Sequence, residues 1–90
     1  MRNELINFCE ENFLEYTYNE NDDERYDYKW SMMIDLPRGY QCAIIQLWDD
    51  NYEAKLNDGD RITAILNNFD FNGFLEWLGE NHLLPSKEEN

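Results

Sequence analysis

Residues 26–36 read Tyr26-Asp27-Tyr28-Lys29-Trp30-Ser31-Met32-Met33-Ile34-Asp35-Leu36. Tyr26, Tyr28, Trp30, Met32, Ile34 and Leu36 occupy the even positions, and Asp27, Lys29, Ser31, Met33 and Asp35 the odd ones. Side chains alternate faces along a strand, so this period of two predicts a strand over 26–36 with one apolar face and one largely polar face. Such a strand sets the register of a sheet and gives helices a floor to pack on.

Pro37-Arg38-Gly39 follows and predicts a tight turn, because Pro presets its own φ and Gly supplies a positive one. Tyr40–Trp48 then reads as the second strand. A three-residue loop sets Leu36 opposite Tyr40, Ile34 opposite Cys42, Met32 opposite Ile44 and Tyr28 opposite Trp48, unless a bulge shifts the register by one. Both faces of this strand are apolar, which suits a central position. Asp49-Asp50-Asn51 predicts another turn, and Tyr52–Leu56 a short third strand.

Outside the meander, residues 3–17 are expected to form an amphipathic helix. Leu5, Ile6, Phe8, Cys9, Phe13 and Tyr16 share one face, Glu4, Glu10, Glu11 and Glu15 take the other, and Asn3 serves as N-cap. Residues 17–25 form a polar connection. Residues 60–69 have helical spacing at Ile62, Ile65, Leu66 and Phe69, with Asp60 as N-cap, although Thr63 and the isoleucines also suit a fourth strand. Asp70 caps a last helix to about Asn81, with Phe71, Phe74, Leu75 and Leu78 inward. The expected fold is therefore α+β: a three-stranded antiparallel meander with helices packed on one face, in the order α-β-β-β-α-α. Residues 1–85 are expected to form a single domain and residues 86–90 a flexible tail.

Chain chemistry narrows the function classes. A chain of 90 residues with 42% hydrophobic and 16% aromatic content can fill one core. Its net charge is −13, from 20 acidic and 7 basic residues. Solubility is served by a magnitude of about 2–8, and the excess costs folding free energy through self-repulsion. This charge disfavours direct binding to nucleic acid or anionic membranes and favours a basic protein as partner. Double-stranded-RNA-binding domains share a similar element order, but they need basic loops that this chain lacks. No apolar run follows a basic N-terminus, and no stretch reaches the roughly 20 apolar residues of a membrane span, so a cytoplasmic protein is expected.

Catalytic patterns are missing from the sequence. His82 is the single histidine, with no second ligand or nucleophile at a recognisable spacing. It reads as a helix-terminal cation. Cys9 and Cys42 read as buried thiols, since a reactive thiol needs an electropositive setting. The acidic connection lacks the central glycine of a calcium loop. Gly39, Gly59, Gly73 and Gly79 form no phosphate-binding pattern. The reading is a non-enzyme that requires no cofactor or metal.

Two surfaces remain as candidate partner-binding sites. Glu20, Asp22, Asp23, Glu24 and Asp27 in the first connection, with Asp49 and Asp50 in the second turn, are expected to form one acidic ridge. If all helices cover the even-numbered face, Met33, Ala43, Ile45 and Leu47 form an apolar stripe on the other. Charged residues border this stripe: Asp27, Asp35, Asp49 and Glu53, with Lys29 and Lys55 beside it. A partner, a second copy in a homodimer, or a terminal helix wrapped round the sheet could cover it.

In size, charge and element mix the chain resembles the small acidic inhibitors that phages direct against host nucleic-acid enzymes. These include anti-CRISPR proteins, anti-restriction DNA mimics and uracil-DNA glycosylase inhibitors. The resemblance is one of general character and carries over no site residues. It implies an acidic inhibitor that binds a basic nucleic-acid-handling protein by mimicking nucleic acid, in the host cytoplasm if the chain is phage-encoded. Immunity proteins that neutralise nuclease toxins share the same electrostatic logic. A structural or adaptor subunit is the alternative from another class.

Overall fold

The computed structural model describes residues 1–85, so the expected tail at 86–90 lies outside the described residues. The element order is α1 (Arg2–Glu11), β1 (Tyr16–Glu20), β2 (Tyr28–Asp35), a tight turn at Pro37–Gly39, β3 (Tyr40–Leu47), β4 (Tyr52–Asp58), β5 (Arg61–Asn67) and α2 (Phe71–Glu80). The strands form one antiparallel sheet in the order β1-β2-β3-β4-β5. Among the described residues the fold is α+β with five strands and two helices, where three strands and three helices are expected from the sequence.

The central hairpin follows the expected register. Ile34 lies opposite Cys42, Met32 opposite Ile44 and Met33 opposite Ala43. The Leu36 N–H donates to the Tyr40 carbonyl at 2.8 Å, across a turn in which Arg38 and Gly39 both take positive φ. A bulge between Tyr28 and Trp30 then shifts the pairing by one, so Tyr28 meets Leu47 instead of Trp48. The strand starts at Tyr28, two residues later than expected.

Both outer strands correct a helical expectation. The helix expected over 3–17 ends at Glu11, and Tyr16–Glu20 is extended, with Tyr16 and Tyr18 turned to the helices and Thr17 and Asn19 exposed. The expected helix at 60–69 is β5. Asp60 caps no helix; it sits with Gly59 (φ 66°) in a two-residue connection between β4 and β5. Ile62, Thr63 and Ile65 are β-branched, and an open sheet edge beside β4 outweighs their helical spacing.

Both helices lie on the even-numbered face. Leu5, Phe8 and Cys9 of α1 and Phe74, Trp77 and Leu78 of α2 join Met32, Ile34, Cys42, Ile44, Ala54 and Leu56 in one buried core. The Asp70 carboxylate accepts from the Gly73 N–H at 2.8 Å, which fixes the start of α2 as expected. At the start of α1, residue Met1 holds the cap position expected for Asn3, without a side-chain cap bond.

The two helices end in the same way. Glu11-Asn12-Phe13-Leu14 and Glu80-Asn81-His82-Leu83 follow one pattern. Each Asn side chain donates to the carbonyl four residues back, Phe8 or Trp77, at 2.8 Å. Phe13 and His82 then both adopt φ 58°. Leu14 and Leu83 donate backbone N–H groups to the Cys9 and Leu78 carbonyls at 2.9 Å. This is the Schellman arrangement, with a bulky residue where glycine is the unstrained choice. His82 therefore takes a conformational role at the end of α2. Its carbonyl also accepts from the Arg38 guanidinium, which ties the end of α2 to the β2–β3 turn.

A left-handed non-glycine residue costs about 1–2 kcal/mol. Phe13→Gly and His82→Gly should therefore each raise the melting temperature by several degrees in thermal denaturation. Cys9 and Cys42 are free and buried. Burial, with help from Glu10, pushes the Cys9 thiol up to about 11, and burial, with help from Cys9, pushes Cys42 up to about 12. The folded chain keeps these protons at a pH where the unfolded chain, with thiols near 9.0, releases them. Their stabilising contribution is thus complete below pH 9 and is lost as pH rises through the folded values. A thiol reagent at pH 8 should label neither cysteine until the chain is unfolded, and melting temperature should fall above pH 9.

Candidate functional site

The β1–β2 connection and the β3–β4 turn lie side by side at one end of the sheet, because β2 and β3 are paired neighbours. Two contacts join them. The Trp48 indole N–H donates to the Tyr26 carbonyl at 2.6 Å, and the Lys29 ammonium pairs with the Asp50 carboxylate. This end holds Glu20, Asp22, Asp23, Glu24, Asp27, Asp49 and Asp50, against Arg2, Arg25 and Lys29.

These carboxylates divide into engaged and unengaged groups. Arg25 grips Asp23 with its Nε at 2.8 Å and its terminal nitrogen at 2.6 Å, and holds the Asp23 carboxyl below the usual carboxylate range. Glu20 lies 3.9 Å from the Arg2 guanidinium. Asp49 folds back to accept from the Asn51 N–H at 3.1 Å, which shapes the turn, and Asp50 adopts φ 72° beside Lys29. Asp22, Glu24 and Asp27 are exposed and make no ion pair among the described residues. The outward-directed charge of the ridge rests on these three. Arg25 and Lys29 were present in the sequence as basic residues beside acids, but only the loop geometry pairs them.

A groove of about 740 Å³ opens behind the ridge, with Arg2, Glu20, Asp22, Lys29, Trp48 and Tyr52 among its walls. At its floor the Trp30 indole N–H donates to Gln46 Oε1 at 2.8 Å, and the Gln46 amide reaches Asp50 at 3.4 Å. This network ties the ridge to the aromatic end of the core. The groove was not foreseen in the sequence, because it depends on β1 and on the short α1.

Met33, Ile45 and Leu47 occupy the opposite face of the sheet, which neither helix covers. Met33 is 37% exposed, whereas Ala43, Ile45 and Leu47 are half-buried by their neighbours within the sheet. The missed strand β5 widens the stripe. Ile65 pairs with Lys55 in the Met33–Ala43 row, and Ile62 pairs with Asn57; they are 52% and 54% exposed. The apolar stripe and the acidic ridge are therefore separate surfaces, one on a face and one at an end.

Exposed ion pairs contribute little to stability, about 0–1 kcal/mol. Arg25→Ala and Lys29→Ala should accordingly change the melting temperature by only a few degrees. Each should make the ridge more negative, readable as slower elution from an anion exchanger than the single charge change predicts for a residue far from it. Compared with known proteins, the chain matches no protein-family model, no curated protein sequence and no solved structure.

Proposed function

We propose that this chain is a non-catalytic acidic inhibitor that binds a basic, nucleic-acid-handling protein through the ridge at one end of its sheet. The supporting observation is the joining of the two acidic loops by Trp48 and Lys29, which gathers carboxylates from separate segments onto one edge. Asp22, Glu24 and Asp27 project from that edge without internal counter-ions among the described residues. A groove built for phosphates attracts such an edge by the same long-range field and counterion release that draw nucleic acid to it. Pairing of Asp23 with Arg25 and of Asp50 with Lys29 neutralises two carboxylates of the ridge and limits its self-repulsion.

The test is capture of partners from a nuclease-treated host lysate at low and high salt, with partners identified by mass spectrometry. The expected partners are nucleic-acid-binding proteins that salt or added duplex DNA releases. The combined variant Asp22→Lys, Glu24→Lys, Asp27→Lys should keep the melting profile, since these side chains are exposed loop residues. Its association rate with a captured partner should fall by about tenfold or more at low salt, with a smaller difference at high salt. Neutral or acidic partners, salt-insensitive capture, or an unchanged rate for the variant would overturn the reading.

A further inference from the structure

We infer that the helix-free face of the sheet is a self-association surface, and that two copies pack face to face about a two-fold axis perpendicular to the strands. The inference is independent of the function assigned to the acidic ridge. It rests on how charge is laid out on this face. The chain carries −13 overall, yet the two central cross-strand rows hold one carboxylate and one ammonium, Glu53 and Lys55, both half-buried. Glu53 pairs with Ile45 of β3, and Lys55 with Ala43. The centre of the face is thus its neutral part, rimmed by exposed Met33 and Ile65.

An axis across the strands, midway between these two rows, is self-complementary. It lays Ala43 on Ile45 of the second copy, and Lys55 on Glu53 of the second copy, each twice by symmetry. Sheets packed face to face cross at about 30°, which displaces a pair one strand from the centre of the face by only about 2–3 Å. A lysine chain spans that easily. An axis along the strands would instead set Lys55 against Met33 and place the two acidic ridges side by side. The perpendicular axis sends the ridges to opposite ends of the assembly, where repulsion is least.

The area is adequate. Five strands of about seven residues make a patch roughly 20 by 23 Å, or about 450 Å² in projection. Side-chain relief raises the accessible area toward the roughly 600–800 Å² per partner of specific interfaces.

Sedimentation equilibrium across a wide range of chain concentration tests the proposal. The wild-type mass should rise from one chain to two. Lys55→Glu and Glu53→Lys should each weaken the dimer by about tenfold or more while leaving the circular dichroism spectrum unchanged, because each sets like charges against one another. An equimolar mixture of the two variants should restore a dimer, now between unlike copies. A chain that stays monomeric at every concentration overturns the proposal and leaves the face to a partner of another kind. Dimers that persist equally in both variants, or variants that fail to pair when mixed, would overturn the axis and with it the inference.

Discussion

Trp30 is the point on which the strands depend. Its ring lies 5.7 Å from the Tyr18 ring on β1 and 6.1 Å from the Tyr52 ring on β4, and its N–H is held by Gln46 on β3. One side chain on β2 therefore touches three other strands. The aromatic contacts continue from Tyr52 to Phe69 and from there to Phe74 of α2. The bulge lies immediately before Trp30, so the register is kept where the indole is anchored and slips only beyond it. Truncating a buried tryptophan typically costs about 3–5 kcal/mol, a large share of the 5–15 kcal/mol that holds a small protein folded.

Placing both helices on one face determines how the surfaces divide. The helix-covered side takes the large aromatics, and the opposite face keeps a mixed set of Met, Ile, Lys, Glu and Asn side chains. Acidic residues collect in the loops because loop backbone must face water, and carboxylates there repel one another less than they would on a packed face. The protein thus combines a neutral plane on its helix-free face with a cluster of carboxylates at one end, while further exposed acids, Glu4, Glu10 and Glu11, lie on α1. These surfaces differ in the range of their forces: contact burial acts over a few ångströms, while the charged end acts over a Debye length of about 8–10 Å.

The parts legible in the sequence were those governed by period and turn chemistry. The alternation from Tyr28 to Leu36 and the Pro37-Arg38-Gly39 turn were enough to give the β2–β3 register to the residue as far as Trp30. The Asp70 cap was equally local. The outer strands were not legible, because Tyr16–Glu20 and Arg61–Asn67 are short and carry apolar residues that satisfy either period. Their state is decided by the unpaired edges of β2 and β4, which are properties of the assembled sheet. The end of α1 could have been read from the repeated Glu-Asn-x-Leu pattern, but Phe13 in place of glycine concealed the stop signal. Of the candidate site, the ridge was visible as adjacent acidic loops. Its internal ion pairs and the groove behind it needed three-dimensional neighbours.

Every strand in this sheet pairs only with the strands before and after it in the chain. The loops that must close to form each ladder are therefore short, and the entropy lost in closing them is small. A sheet of this connectivity can grow outward from the β2–β3 hairpin in both directions, adding one hairpin at a time, without threading or long-range search. Local topology of this kind favours fast folding for its strand content. For a highly charged chain that matters, because the time spent as a collapsed and incompletely paired species is the time during which exposed strand edges can meet one another.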